Sequence, residues 1–152
     1  MGDTGSVTVH IDAAPERVYE LVADITRMGE WSPECRKCVW LDGASGPAVG
    51  ARFKGSNQSG IMKWSTTAKV IEAEAGKVFA FTTMSGDKES TRWKYEFAAA
   101  DGGTDVTESY EAIWAPAIIA FVERVLMPGR AKKLEAGMRT TLERVKTVAE
   151  RN

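Results

Sequence analysis

Among the 152 residues, Glu108 is the one whose type and neighbours most suggest chemistry. Val106, Glu108 and Tyr110 alternate with Thr107, Ser109 and Glu111, the two-residue period of a strand with one face inward. If Val106 and Tyr110 turn toward the interior, Glu108 turns with them. A carboxylate there is costly unless it is hydrogen-bonded or wet, and burial would raise its pKa. A solid core would exclude it, whereas a hollow, partly hydrated interior would tolerate it. Two readings stand side by side. Glu108 either pairs with an inward Arg or a backbone donor and has no chemical role, or it acts in the hollow, as the polar anchor of an apolar ligand or as a general base. A β-bulge would reverse its direction.

Other reactive side chains form no second constellation. Cys35 and Cys38 make a CxxC, but zinc needs two further Cys or His ligands and His10 is the only histidine. A redox pair would follow a strand at a helix start, which Pro33-Glu34 and Val39-Trp40-Leu41 do not resemble. Two free thiols in a reduced cytosol are therefore expected. His10 is read as a solvated outward strand residue. No phosphate-binding glycine loop with a Lys is present. Twenty basic side chains balance twenty-one acidic ones, so no basic footprint for nucleic acid arises.

The elements that would position Glu108 follow from periodicity. Val7, Val9 and Ile11 alternate with polar residues as a first strand. Pro15 suits the first helical position, Glu16 favours the positive end of the helix dipole, and Val18, Leu21, Val22 and Ile25 give one short amphipathic helix. Asp24 caps a further turn or two ending at Gly29, and Trp31-Ser32-Pro33-Glu34 reads as a connector. Six strands then run as a meander, over 37–41, 51–56, 61–73, 78–84, 91–98 and 104–112, separated by turn clusters such as Asp101-Gly102-Gly103. In one of them Trp93, Tyr95 and Phe97 share a face opposite Arg92, Lys94 and Glu96. Phe79 and Phe81 share another, and Met62, Trp64, Thr66, Ala68 and Val70 a third. An apolar helix begins after Ala115-Pro116, breaks at Pro128-Gly129, and is followed by a longer one with a Leu134, Met138, Leu142, Val145, Val148 stripe.

Composition supports one compact unit over residues 1–152. Hydrophobic residues make up 43% and charged residues 27%, an ordinary globular balance. The most apolar run, 112–127, is too short to span a membrane and contains Glu123 and Arg124. The polar opening does not read as a secretory leader, and its bare myristoylation pattern is discounted. A cytoplasmic location is expected.

The order strand, helix pair, six-strand meander and long C-terminal helix resembles the START/Bet v 1-like superfamily, the helix-grip fold. More specifically, the chain resembles the polyketide cyclase/dehydrase-type branch of bacterial SRPBCC proteins. The resemblance rests on 11–18 (IDAAPERV), on Asp24 through Trp31-Ser32-Pro33-Glu34 and on Gly50-Ala51-Arg52-Phe53. It continues with Trp64, Val70, Trp93-Lys94-Tyr95 and Gly102-Gly103-Thr104, and it covers almost the whole chain. It implies an α+β fold, a seven-stranded curved antiparallel sheet wrapped on a long C-terminal helix, with two short helices after the first strand. It also implies a cavity between sheet and helix for an apolar small molecule such as a lipid or polyketide, without metal or cofactor. The family has no universal catalytic residue; Glu108 is the catalytic candidate and Glu34 a second inward acid.

The implied cavity would be walled by Trp31, Glu34, Trp64, Phe79, Phe81 and Trp93, and by Tyr95, Glu108, Tyr110, Phe121, Leu134 and Met138. Three functions follow: binding of an apolar ligand, cyclisation or dehydration of a polyketide-like substrate, or a protein contact through the apolar helix near 117–126. In that last case the helix meets a partner protein or a second copy in a homodimer. Alternatively it lies over the cavity mouth or docks as core.

Overall fold

The computed structural model describes residues 4–126 and 129–151, the side chains of 120, 122–124 and 126 excepted. Met1, Gly2 and Asp3, with the myristoylation pattern, lie outside the described residues. So do Met127 and Pro128, where the break between the last helices is expected.

Seven antiparallel strands form one sheet in the order β1-β7-β6-β5-β4-β3-β2. They are β1 (Thr4–Ile11), β2 (Cys35–Trp40), β3 (Arg52–Ser59), β4 (Met62–Glu74), β5 (Val78–Ser85), β6 (Lys88–Ala100) and β7 (Gly103–Ala112). Each neighbour in the meander pairs with the next through a turn, and β1 closes the far side against β7. Bulges interrupt the register between Cys35 and Lys37, between Val70 and Glu72, and between Thr83 and Met84. Such insertions bend strands and increase local twist. The expected fold is the observed one, with β3 two residues and β6 five residues longer than their turn signals suggest. β3 runs through Ser59 because Asn57 and Gln58 still pair with Trp64 and Lys63, and the turn is only Gly60-Ile61.

Between β1 and β2 come α1 (Pro15–Ala23), a 3₁₀ turn (Ile25–Arg27) and α2 (Met28–Trp31). Pro15 opens α1 as expected. The Asp24 carboxylate caps the next turn, accepting from the Thr26 amide at 3.2 Å. The helical path does not stop at Gly29 but continues to Trp31. Gly29 permits this by close approach, since a Cβ there would lie 2.3 Å from the Arg36 carbonyl oxygen. α2 therefore rests on β2 main chain to main chain.

Two helices complete the chain, α3 (Ala117–Leu126) and α4 (Arg130–Ala149). α4 packs against β1, α1, α2 and β7. Its second half buries Leu142, Val145 and Ala149 against Ile11, Val18 and Leu21 in the main core. Tyr19, Phe53, Phe79, Phe81 and Phe97 fill the sheet side of that core. Tyr19 meets Phe97 edge-on at 5.7 Å between centroids, and Phe53 meets Phe81 at 5.1 Å. Edge-to-face contacts of this kind suit the ring quadrupoles. At this end the sheet is packed solid.

Candidate functional site

The other half of the interior is not filled. Between the first turns of α4, the start of β2 and the β3–β4 turn lies an open cavity of roughly 390 Å³, at the small end of the range for ligand pockets. Its floor is Glu108, Met138 and Thr141, all buried. Trp93, Pro33, Leu134 and Gly137 make the walls, and Arg36, Gly60, Lys133 and Ala136 form the exposed rim.

Glu108 reaches the floor because β7 is regular. Both of its ladders run without a shift, so Thr104, Val106, Glu108 and Tyr110 all point inward and are buried. Across the sheet Glu108 stands directly opposite Tyr95 on β6. The Tyr95 hydroxyl donates to Glu108 Oε2 at 2.9 Å, while Oε1 is buried with no hydrogen-bond partner among the described residues. The hydrogen bond shown to this carboxyl among the described residues comes from a phenol, not from an inward Arg or a backbone donor. Burial pushes the Glu108 carboxyl up to about 8, and the Tyr95 bond pulls the other way. Tyr95 is itself raised well above its ordinary value, first by burial and then by the nearby Glu108, so it stays a donor. At neutral pH the floor thus presents a mostly protonated carboxyl group with one oxygen unengaged.

Glu34 guards the mouth. The Ser32 hydroxyl accepts from the amides of Glu34 and Cys35, at 3.2 Å and 3.0 Å, and the Gln58 amide donates to the Glu34 carbonyl at 2.8 Å. So held, the Glu34 carboxylate takes a two-pronged bond from Arg130 at the start of α4, with Nη2 at 3.0 Å from Oε1. Such forks fix geometry as well as charge. On the rim, the Lys133 ammonium donates to the Ser59 hydroxyl and ties α4 to the end of β3.

Of the residues expected at the site, Glu34, Trp93, Glu108, Leu134 and Met138 line this cavity. Tyr95 acts from behind Glu108, and Tyr110 backs Trp93 at 5.5 Å between centroids. Phe79 and Phe81 belong to the solid core instead, packed against Tyr19 and Phe53. Trp31 is buried beneath Arg27, whose guanidinium lies 5.0 Å from its ring centroid, and its indole Nε1 has no partner among the described residues. Trp64 is half-buried opposite Asn57, and Phe121 on α3 is 61% exposed; neither lines the cavity.

Sequence reasoning missed Thr141, Pro33 and the Gln58–Gly60 segment. Thr141 was detectable, because it stands three residues after Met138 and seven after Leu134 on one helical face.

Cys35 and Cys38 are free and buried, with sulfurs 3.1 Å apart. His10 is not merely solvated: Nδ1 meets Asp105 at 2.8 Å and Nε2 meets Asp12 at 3.0 Å. No group of three or more His, Cys, Asp or Glu side chains placed to hold a metal occurs among the described residues.

A sheet gripping a long helix, with a cavity open at one end, defines a helix-grip protein. Residues 4–150 match the family described as polyketide cyclase / dehydrase and lipid transport, and the chain belongs to that family. Among solved structures it is similar to a polyketide-cyclase-like protein of Corynebacterium glutamicum, at 33% identity over 97% of this chain and 89% of that one, TM-score 0.58. It shares the fold of protein CV1439 of Chromobacterium violaceum, at 19% identity over 98% of both chains, TM-score 0.72. It also shares the fold of one half of the di-domain ARO/CYC protein StfQ from the steffimycin biosynthetic pathway, at 13% identity over 97% of this chain and 50% of that one, TM-score 0.76. No curated protein matches the sequence. No helix among the described residues is long and apolar enough to cross a membrane.

Proposed function

We propose that the protein binds an apolar, polyketide-like or lipid molecule in the cavity, with a ligand oxygen hydrogen-bonded by Glu108. The observation that carries this reading is the Tyr95–Glu108 pair on the floor of a pocket whose walls are Trp93, Leu134, Met138 and Pro33. Mainly apolar walls with few polar groups suit a molecule held by burial and oriented by one contact. A protonated Glu108 has a proton for an acceptor, and an empty Oε1 gains a partner when a carbonyl arrives. The family's description, polyketide cyclase / dehydrase and lipid transport, agrees with such a ligand.

Titration of delipidated protein with a polycyclic ketone should quench Trp fluorescence saturably, through Trp93. The parent hydrocarbon without the ketone should bind about tenfold more weakly, for the loss of one buried hydrogen bond of roughly 1.4 kcal/mol. Absence of any response across a broad panel of polycyclic and long-chain molecules would sink the reading.

Catalysis at the same site is favoured by one observation, a buried carboxyl whose pKa of about 8 lies near neutrality. In its ionised form Glu108 would take a proton from carbon next to a ligand carbonyl, and the enolate would close on a second carbonyl carbon. The proton then returns to the new alkoxide, so no co-reactant is consumed. Turnover of a poly-β-ketone would then rise with pH toward about 8 and vanish in Glu108→Gln. Turnover unchanged by that substitution excludes the carboxylate as base.

A further inference from the structure

Cys35 and Cys38 do not line the cavity, yet a specific irregularity of β2 sets their sulfurs together. Residues three apart on a regular strand point to opposite faces. In β2 the register shifts between Cys35 and Lys37, so that Cys35 pairs with Asn57, Lys37 with Ser56 and Cys38 with Gly55. The shift takes Arg36 out of step and turns both cysteines inward, where they are 5% and 3% exposed. Both sulfurs lie over Gly55, since a Cβ there would stand 3.4 Å from Cys38 Sγ and 3.8 Å from Cys35 Sγ. The pair is thus built into a bulged strand, not into the helix start expected of a redox motif.

Distance decides what the pair can do. The sulfurs are 3.1 Å apart. Two thiolates bound to one metal ion at about 2.3 Å each, in tetrahedral geometry, stand roughly 3.8 Å apart, so these two are too close to hold one. A disulfide asks for a sulfur separation only about 1 Å shorter than the one present. Along the ladder to β3, Cys35 and Cys38 are two residue steps apart, about 6.8 Å at the rise of a strand. That is the outer end of the Cα spacing a disulfide accepts, so a bridge forms with a slight closing of the bulge and is readily reduced again. The two thiols also differ. Cys35 directly follows Glu34 at the cavity mouth, and the Cys38 thiol, donating to it, holds Cys35 below the ordinary thiol range against the effect of burial. The same bond, together with burial, pushes Cys38 up. A thiolate beside a protonated thiol is the arrangement of an attacking and a resolving cysteine.

We infer that Cys35 and Cys38 form a reactive dithiol that hydrogen peroxide converts into an intramolecular disulfide. The Cys35 thiolate, its proton given to solvent, attacks one peroxide oxygen. An S–O bond forms, the O–O bond breaks, and the departing hydroxide takes up a proton and leaves as water. The Cys38 sulfur then attacks the Cys35 sulfur; the S–S bond forms, the S–O bond breaks, and hydroxide leaves with the Cys38 proton as a second water. Two electrons pass from the sulfurs to the peroxide. Burial selects the oxidant by size, admitting a peroxide and excluding a bulky disulfide such as oxidised glutathione. The chemistry does not depend on what the cavity binds.

The test treats the folded full chain with hydrogen peroxide, then alkylates it with iodoacetamide in denaturant and counts modified cysteines by mass spectrometry. Both cysteines should escape alkylation, and dithiothreitol should restore both. Oxidised glutathione should leave both open to alkylation over the same interval. Cys38→Ser should stop at a Cys35 sulfenic acid that dimedone traps. Cys35→Ser should react about tenfold more slowly, because the remaining thiol stays protonated. Full alkylation after peroxide, a bridge that forms in urea but not in the folded protein, or a disulfide joining two chains overturns the inference. Oxidation by glutathione disulfide as fast as by peroxide overturns the selection by size, and equal rates in the two serine variants overturn the assignment of Cys35 as the attacking sulfur.

Discussion

The two halves of α4 cover the same sheet and meet it in opposite ways. From Leu142 to Ala149 the helix is pressed onto α1 and β1, and the space beyond is filled by Tyr19, Phe79 and Phe97. From Arg130 to Thr141 it stands away from the strands, and the gap is the cavity. The same alternation of inward residues supplies both ends. What differs is how the side chains meet: rings packed edge-on in one half, and a Glu, a Thr and a Gly set beside Trp93 in the other. A hollow here is produced by a few substitutions within a regular frame, and its shape is set by the solid half that anchors the frame.

The sharpest way to break this comparison is to remove matched apolar groups from both halves. Phe79→Ala should cost about 4 kcal/mol in urea denaturation, for lost transfer energy plus the void left behind. Leu134→Ala, at a half-buried cavity wall, should cost no more than about 1 kcal/mol, since the space beside it is open already. Equal losses would mean that both halves are packed cores.

A smaller effect separates the halves by pH. Because the folded Glu108 keeps its proton to about pH 8 and the unfolded chain releases it near 4.5, stability should fall as pH rises between those values and level off above. Glu108→Gln should remove that slope and leave the variant more stable at pH 8, by on the order of 3 kcal/mol once cavity hydration has relieved part of the burial cost. Tyr95→Phe should extend the falling region upward, since its hydrogen bond holds the Glu108 pKa down. A flat profile in the parent protein would show that Glu108 is well hydrated and that the floor is not dry.

The smallest expected effect lies outside both halves. His10, held by Asp105 and Asp12, should titrate above 6.5 by proton NMR, and Asp105→Asn should move it back toward that value. An unshifted His10 would mean that the β1–β7 edge is looser than the ladder implies.

Much of the frame was legible from local pattern. Period-two alternation oriented β6 and β7 correctly, because neither carries a bulge in the stretch that matters, and that placed Tyr95 and Glu108 inward. Pro15 and Asp24 marked helix starts by capping chemistry that depends on a few neighbouring residues. What could not be read depended on which segments meet. Phe79 and Phe81 have the same parity signature as Trp93, yet Tyr19 and Phe53 pack over them while Trp93 lines the cavity. Trp31 looked like part of a connector, because the contact that lets α2 continue is with a backbone seven residues away in sequence. The Glu34–Arg130 clamp joins residues nearly a hundred positions apart, beyond the reach of any local pattern.

The contact at Gly29 has a consequence for how the site can be changed. A glycine such as Gly46, in the β2–β3 connection, has no atom within 4 Å of where a Cβ would stand, and a substituted side chain there should simply project into water. At Gly29 the first added carbon would strike the Arg36 carbonyl and push α2 off β2, together with Ser32 and Glu34 that follow it. In a library selected for new ligands, residues 134, 138 and 141 can vary while position 29 must stay constant. The pocket's width is open to selection, but its doorway hangs from one hydrogen atom.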